Sequence, residues 1–590
     1  MKNLDRTSWI GILVCLLLLF AWGWWSSKEA AKNAERDRIA REAAAAEAAE
    51  RAAAEPEDAE APDATPENAG DEATADSSVA ASTVVIENEY IRLHFTNIGA
   101  GIDYAELLKH DAELDGEEPI SINQSGEHPI GALTTGPGEF DTTVWTVVSS
   151  DRESIAFQTK NDEGLTLTKS FRLAGSETSS EVEADPYTID FDLTIRNDSG
   201  VVLEPRGRYL YTGTAQPLHL HEWSIQIGMF WRENGDFEYK TVDHYGGRKI
   251  LGIFGKNEIP HDTFTLSQLD WGGVNDQFFA TIIKPDTPYP ADLWGDRLPV
   301  VVEDDPVKSR EKRMFAAEGG LGIPQSTMNP GDQSTLGYEI YIGPKEFSRL
   351  KALGEERQEV MHYDEIPILG WMLGWAIKPL ASLLIIALVA IQGWVGSYGI
   401  AIILTTVAIR LLIWPIYAKS ARSMKRMSKL APKMKEIREK YEDDPQTMNQ
   451  KTMALYKDYG VNPLGSCLPL FIQMPVFLAF YRMLWSAVEL RHESFLWVDD
   501  LSMPDTLFNL PFELPVLGSG FNLLPILMGI TSFVQIAMTP STGDKTQRMI
   551  FMLMPVIFLV ICYNFASALA LYWTVSNLFT ILQTWIMNKL

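Results

Sequence analysis

Cysteine is almost absent from this chain of 590 residues. Its three cysteines, Cys15, Cys467 and Cys562, all fall in apolar segments, so the long polar stretch of residues 28–369 has none. A disulfide framework and a thiolate metal site are thereby excluded from that stretch. The chain also lacks the Gly-x-x-x-x-Gly-Lys-Ser/Thr motif, and a P-loop nucleotide site is therefore not indicated.

Positive charge is scarce in the first part of the chain. Residues 1–369 contain 32 Lys and Arg against 65 Asp and Glu, whereas residues 370–590 contain 18 against 13. This excess of negative charge argues against nucleic-acid binding by residues 1–369, which we interpret as mostly soluble. The remainder carries long apolar runs and is interpreted as membrane-bound.

An apolar stretch, Trp9 to Trp25, follows Lys2 and Arg6. Its tryptophans are typical of a membrane interface, so we predict a retained transmembrane anchor over residues 1–27 in preference to a cleaved signal peptide. Residues 28–81 are rich in Ala, Glu and Pro and have almost no large apolar residue. They predict a disordered acidic tether, because such a composition cannot form a core.

Apolar and polar residues alternate over much of residues 82–345, for example in Leu165–Leu173 and Tyr187–Ile195. This period of two predicts half-buried strands, which frequent Gly, Pro, Asn and Asp turns separate. We therefore predict one large antiparallel β-sandwich. His219 and His221 would share a strand face suited to a metal, but no third ligand occurs at a diagnostic spacing, and we prefer a structural or surface role.

Apolar segments in the last part of the chain predict an α-helical membrane bundle with five core spans within residues 398–590. The spans are residues 399–417, 464–485, 521–538, 549–565 and 568–587. Before them, residues 346–397 contain a predicted linker helix and a further apolar stretch, residues 371–395. That stretch either lies flat at the interface as an amphipathic helix or crosses the membrane.

Basic residues settle only part of the topology. Eleven Lys and Arg in residues 418–463 against one in residues 486–520 place the former loop in the cytoplasm. If residues 371–395 lie flat, the β domain is outside the cytoplasm and the N-terminus inside. If they cross, both invert, and five basic residues between Lys28 and Arg41 favour that inverted arrangement.

Arg410 is the twelfth of nineteen residues in the span Gly399 to Tyr417. An arginine deep in a span costs about 3 kcal/mol on insertion scales, so such residues usually face a bundle interior or a water-filled cavity. The alternative is snorkelling towards the nearer interface. Thr406, one turn earlier, would share the face of Arg410, and no Asp or Glu falls in the five spans. This argues against a proton relay and favours transient binding of a negative group.

Three other spans carry polar stripes, for which interhelical hydrogen bonding is the alternative interpretation. Their members are Gln473; Thr531, Ser532 and Gln535; and Trp573, Ser576, Asn577, Thr580, Gln583 and Thr584. Together with Arg410 they predict a wet concavity. The loop at residues 418–462 predicts a helical hairpin whose methionines, Met424, Met427 and Met434 among them, either pair its helices or form a pliable surface for apolar peptide, acidic lipid or ribosomal RNA.

Three motifs carry a family resemblance: Val461–Tyr481, Met554–Phe558 and Leu571–Leu578. They closely resemble the corresponding segments of the YidC membrane protein insertases of Gram-negative bacteria. The resemblance covers residues 370–590 strongly and extends in layout to the anchor and the β domain. It implies five spans around a hydrophilic groove open to the cytoplasm and lipid, an interfacial helix near residues 371–395, and a periplasmic, mutarotase-like β domain.

The resemblance also implies site residues. Arg410 matches the groove arginine of the family, and Thr406, Gln473 and Tyr572 match positions associated with the groove or with substrate contact. Trp573 stands where a second tyrosine is frequent, and we include Asn577 in the same predicted groove. Met424, Met427 and Met434 are the predicted contacts of the hairpin. No metal, cofactor or catalytic residue is implied.

The implied activity is insertion and folding of integral membrane proteins in the bacterial inner membrane, alone or with the Sec translocon. Implied partners are nascent membrane proteins, the Sec translocon and its accessory subunits, the ribosome and membrane lipids. Both termini would be cytoplasmic. The alternatives are a periplasmic carbohydrate-modifying enzyme on an anchor, for which Arg410 would be dispensable, and a small-anion transporter, for which no inverted repeat is evident.

Overall fold

The computed structural model describes residues 82–589 with gaps at 115, 175–183, 204–207, 220–221, 247–248, 251–253, 256–257, 303–311, 325, 366–369, 442–443, 460–463, 515–516 and 539–544. The structure does not describe some side chains within its helices and strands, including those of residues 464–472 and of Met424. The predicted anchor, residues 1–27, and the predicted tether, residues 28–81, lie outside the described residues.

The β domain begins with a four-stranded antiparallel sheet. Its strands, in spatial order, are β1 Thr83–Glu87, β2 Ile91–Thr96, β3 Gly101–Asp111 and β4 Pro119–Ile122. The alternation that marks a half-buried strand is clear in β2, where Ile91, Leu93 and Phe95 are buried and the residues between them are partly exposed. One face of this sheet is therefore apolar and needs a covering layer.

The covering layer is a 14-stranded antiparallel sheet. The next strands along the chain are β5 Leu133–Gly136, β6 Glu139–Phe140, β7 Thr146–Ser150, β8 Ser154–Lys160, β9 Leu165–Leu173, β10 Thr188–Asn197, β11 Tyr209–Ala215, β12 Gly228–Glu233, β13 Asp236–Thr241, β14 Lys249–Ile250, β15 Phe254–Gly255, β16 His261–Asn275, β17 Phe279–Pro285, β18 Tyr289–Val302, β19 Lys312–Gly322 and β20 Gln333–Pro344. The large sheet has the order β6-β5-β11-β19-β18-β16-β17-β20-β10-β9-β8-β7. The hairpin β12–β13 joins at β16, and β14–β15 is a separate hairpin.

Aromatic side chains hold the two sheets together. The ring of Phe95 on β2 lies 6.3 Å from that of Phe157 on β8 and 5.2 Å from that of Phe171 on β9. Fully buried Lys169 on β9 donates to the carbonyl oxygens of Gly99 and Ala100 at 2.6 and 2.9 Å, which ties the β2–β3 turn to the large sheet. The predicted antiparallel β-sandwich is confirmed.

The predicted strand position of the histidine pair is wrong. Strand β11 ends at Ala215, and His219 lies in the loop that follows it. His221 lies outside the described residues. In the part of the chain that the structure describes, no group of three His, Cys, Asp or Glu residues could hold a metal ion.

Ten helices are described. They are α1 Val242–Tyr245, α2 Phe347–Ala352, α3 Gly370–Val395, α4 Tyr398–Lys429, α5 Ala431–Lys440, α6 Pro445–Asp458, α7 Leu464–Ser486, α8 Leu523–Met538, α9 Lys545–Ile561 and α10 Ser567–Lys589. A hairpin of β21 Thr506–Leu514 and β22 Gly518–Asn522 stands between α7 and α8. Among the described residues, Met372–Val395 and Tyr398–Ser420 are long and apolar enough to cross a membrane, whereas Leu523–Met538 and Phe551–Ile561 are shorter apolar segments.

Helix α4 differs from the predicted span because it continues past Tyr417 to Lys429 without a break. Residues 418–429 include no glycine or proline, and their Lys, Arg, Ala and Met side chains favour a helix. The predicted hairpin at residues 418–462 therefore consists of the end of α4 followed by α5 and α6.

The β domain rests on α7 and on the loop that follows it. Gln277 donates from Nε2 to the carbonyl oxygen of Trp485 at 2.7 Å, and Arg491 donates from Nη2 to that of Ala112 at 2.7 Å. The exposed ring of Trp223 meets that of Trp485 edge to face, with 5.4 Å between centroids. The β domain and the loop that begins after Ser486 consequently lie on the same side of the helical bundle.

We expect the stability of the β domain to fall as the pH rises through the range in which Glu318 ionises. Burial raises the pKa of Glu318 to about 7, although Tyr211 donates to its Oε2 at 2.7 Å. The folded state then binds more protons than the unfolded state between about pH 4.5 and 7, and its relative stability decreases over that range. Glu318→Gln keeps an acceptor for Tyr211 and removes the titration.

The measurement is urea unfolding of the full chain in detergent, followed by tryptophan fluorescence between pH 5 and 8. Relative to Glu318→Gln, the wild type should lose on the order of 2 to 3 kcal/mol of unfolding free energy over this range. Parallel pH profiles of the two proteins would contradict the assignment.

Candidate functional site

Arg410 lies in the middle of α4 and is half-buried. Its Nη2 donates to Oγ of Ser576 on α10, and the Ser576 side chain is buried. Leu411 and Leu412, the next residues on α4, are exposed and lie on the outer surface of the bundle. The guanidinium is thus turned towards a neighbouring helix and away from that outer surface.

Helix α10 carries a second polar contact one turn away from Ser576. The hydroxyl oxygen of Tyr572 accepts from Nε2 of Gln473 on α7 at 3.3 Å, and its ring stacks on that of Phe480 at 4.1 Å. Residues 572 and 576 are four apart and share one face of the helix. The guanidinium from α4 and the amide from α7 therefore meet the same face of α10.

Asn577 connects α10 to α8 instead. Its Nδ2 donates to Oγ of Ser532 at 2.7 Å, to Oγ1 of Thr531 at 3.2 Å and to the carbonyl oxygen of Met528 at 3.3 Å. The Asn577 side chain is buried. This is the interhelical hydrogen bonding that the sequence left open as the alternative interpretation of the polar stripes.

Thr406 is buried on the same helix as Arg410, but its hydroxyl donates to the carbonyl oxygen of Ile402 at 2.6 Å. The hydroxyl is therefore used within α4, as is common for threonine inside a helix. Thr406 and Arg410 are four residues apart on this helix, but the partner of Arg410 is Ser576 on α10.

Trp573 occupies an aromatic cluster. Its ring is 4.6 Å from that of Phe477 on α7 and 5.0 Å from that of Phe558 on α9. The side chain is half-buried and packs against the apolar core. Trp573 thus joins three helices, next to Tyr572 in sequence but in contact with a different set of side chains.

Two of the three predicted contact methionines in the hairpin of residues 418–462 are buried. Met427 is buried with Leu430, and Leu455 and Tyr456 pack against them. Met434 is also buried, and the hydroxyl of Tyr456 donates to its sulfur at 3.4 Å. These two methionines pair the helices of the hairpin, whereas nothing is described of the Met424 side chain.

Sequence reasoning missed a buried arginine in α7. Arg482, on the last turn of α7, donates from Nε to the carbonyl oxygen of His362 at 3.1 Å and again from Nη2. Burial holds the pKa of the His362 ring well below its usual value, and the ring stacks on Tyr239 of β13 at 3.7 Å. Arg482 could have been found by the criterion that singled out Arg410, since both interrupt an apolar run.

Two family models match the chain. One, described as "60Kd inner membrane protein", matches residues 390–590, and the other, described as "YidC periplasmic domain", matches residues 83–383. They divide the chain into the same two parts as its charge and its fold. The chain is therefore an inner membrane protein with a periplasmic domain.

Solved structures give weaker likenesses. One of an active YidC insertase covers 85% of this chain and 91% of its own, at 17% identity and a TM-score of 0.32. One of a putative aldose 1-epimerase from Escherichia coli K12 covers 45% and 100%, at 10% identity and a TM-score of 0.25. The mutarotase-like character of the β domain stays a prediction.

Named relatives match over most of the chain. The membrane protein insertase YidC of Syntrophobacter fumaroxidans is 32% identical over 527 residues, which cover 85% of this chain and 86% of that protein. The YidC of Pelobacter propionicus is 32% identical over 464 residues, 76% of this chain and 74% of the relative. By these matches over both of its parts, the chain belongs to the YidC family of membrane protein insertases.

Proposed function

We propose that the chain inserts membrane proteins into the bacterial inner membrane through a polar groove beside Arg410. The observation that carries the proposal is the meeting of Arg410 and Gln473, from two different helices, on one face of α10. Three apolar helices thereby surround a positive charge and several hydrogen-bonding groups. Such a site offers a polar flank of a nascent chain a partner within the membrane.

Charge and solvation give the mechanism. Among the described residues of the helical bundle, the guanidinium of Arg410 donates to a neutral hydroxyl and not to a carboxylate. An acidic group in the flank of a substrate would then supply the missing counter-charge while it crosses. The apolar segment that follows would leave sideways into lipid, driven by burial of about 25 cal/mol per Å².

The proposed topology places the β domain in the periplasm, both termini in the cytoplasm and α3 along the periplasmic face. Two contacts support this. In the first half of α3, Lys378 pairs with Glu359, which follows the β domain, and just after the end of α3, Gly399 abuts Phe495. Phe495 belongs to the loop that contacts the β domain. A helix with both ends on one side lies along the membrane and does not cross it.

The proposed partners are nascent membrane proteins, the Sec translocon with its accessory subunits, the ribosome and lipids. The hairpin of residues 418–462 supports contact with acidic partners through its eleven Lys and Arg. Since Met427 and Met434 are buried, any apolar contact there would use exposed side chains such as Met453 and Tyr459.

We expect Arg410→Ala to impair insertion most for substrates with an acidic flank. Purified protein in liposomes would receive a short single-span substrate with either two acidic residues or none in its translocated flank. The initial rate of insertion of the acidic substrate should fall about tenfold, because its charge partner is lost. This fall corresponds to about 1.4 kcal/mol of activation free energy. Arg410→Lys should retain most of the activity.

The matched control is Arg422→Ala, which removes an exposed arginine further along the same helix and leaves the bundle intact. It should insert both substrates as the wild type does. Failure of the wild type to insert the single-span substrate would overturn the proposed function. Equal activity of the Arg410 variants on both substrates would remove the proposed role of the charge.

We expect Asn577→Ala to loosen the bundle without changing the preference for acidic flanks, because its partners are Thr531 and Ser532 on α8. The free energy of unfolding in mixed SDS micelles, followed by circular dichroism, should fall by about 1 to 2 kcal/mol. Ser532→Ala, which removes one of the three partners, should cost less. A selective loss of acidic substrates by Asn577→Ala would contradict this structural role.

A further inference from the structure

The hairpin β21–β22 presents an apolar surface that no described part of the chain covers. Phe508 and Phe512 are 53% and 59% exposed, and Leu507 beside them is exposed as well. Phe508 and Phe521 stack across the two strands with 4.8 Å between ring centroids. Exposed aromatic residues at this density mark a contact surface.

Charge is almost missing from the same segment. Between Thr506 and Asn522 the sequence contains no Lys, Arg or Asp and one glutamate, Glu513. The β domain, which lies on the same side of the bundle, is by contrast acidic and has many carboxylates. The hairpin therefore lacks the charges that solubilise an exposed strand pair and that protect its edges.

Hydrogen bonds fix the described part of the hairpin to the membrane bundle. The hydroxyl of Tyr563, at the α9–α10 junction, donates to the carbonyl oxygen of Gly520 at 3.0 Å and accepts from the backbone N–H of Asn522 at 3.1 Å. Asn522 donates from Nδ2 to the carbonyl oxygen of Tyr563 at 2.8 Å. An isolated two-stranded hairpin is marginal in water, and these bonds hold this one at the end of the bundle.

The length of α8 sets the depth of the hairpin. Its 16 residues span about 24 Å, less than the roughly 30 Å of bilayer hydrocarbon. Ile530, Phe533 and Val534 on α8 are exposed and apolar, as lipid-facing side chains are. Flanking segments make up such a mismatch by entering the interface. Because Leu523 follows Asn522 directly, the hairpin is the flanking segment on the side of the β domain.

We propose that the β21–β22 hairpin is an interfacial anchor, whose Leu507, Phe508 and Phe512 side chains insert among the acyl chains of the periplasmic leaflet. The hairpin leads directly into α8, whose exposed side chains Ile530, Phe533 and Val534 are apolar. The strand edges have unpaired backbone groups, which require water or headgroups, so the side chains enter the hydrocarbon while the backbone stays at headgroup depth. This role depends on the membrane position of the chain and is independent of the Arg410 groove.

The test uses the full chain in phosphatidylethanolamine–phosphatidylglycerol liposomes with Cys15, Cys467 and Cys562 replaced by serine. A nitroxide is attached at F508C or F512C, and its collisions with oxygen and with nickel ethylenediaminediacetate are measured by power saturation. The matched control is V301C on β18, a residue of the β domain with similar exposure, 53%. Oxygen concentrates in hydrocarbon and the nickel complex in water.

The oxygen-to-nickel ratio at both hairpin positions should exceed that at V301C several-fold. A ratio equal to that of V301C would overturn the anchor, because the hairpin would then stand in water. Low collision rates with both reagents would also overturn it and would indicate cover by protein, with spin–spin broadening identifying a second copy. The two hairpin positions are independent of each other, so the test remains decisive if one of the variants fails to fold.

Discussion

One guanidinium inside an apolar bundle sets the requirements that the other helices meet. Arg410 costs about 3 kcal/mol in a span unless polar groups or water surround it. Ser576 on α10 accepts a hydrogen bond from the guanidinium, and the hydroxyl of Tyr572, one turn away, accepts one from the amide of Gln473. The polar face of α10 is therefore explained by the charge that it faces. In the proposed function, the same charge attracts acidic groups of a substrate.

The β domain and the bundle are coupled through the last turn of α7. Arg482 binds the carbonyl oxygen of His362, and Gln277 reaches the carbonyl oxygen of Trp485. Arg482 is a buried charge where the β domain meets the bundle. Loss of its contact with the carbonyl oxygen of His362 would leave its guanidinium unpaired. Since α7 also carries Gln473, the position of the β domain and the geometry of the groove share one helix. The proposed anchor adds a second fixed point on the same side of the membrane.

Much of this architecture could be predicted from the sequence, because alternation with period two and long apolar runs depend on local burial. The order of the 14 strands could not, since nonlocal pairing leaves no local pattern. At the site, Arg410 was identifiable by the free-energy cost of a charge within an apolar span, whereas its contact with Ser576 depends on how two helices pack. Thr406 bonds to its own helix, and Met427 faces inward. Neither could be predicted, because a stripe at helical spacing has the same appearance whether it faces a partner or the core.

The proposed groove beside Arg410, which the resemblance to the family opens to the cytoplasm and to lipid, requires that water reach Arg410 from the cytoplasmic side alone. The direct measurement is modification of R410C, in a chain without its three native cysteines, by a charged, membrane-impermeant methanethiosulfonate added to vesicles of either orientation. Access of water from the cytoplasm predicts that R410C reacts from the cytoplasmic side only. L412C, at an exposed position on the lipid-facing side of α4, should not react. Lack of modification of R410C from both sides, or modification from the periplasmic side, would contradict this access.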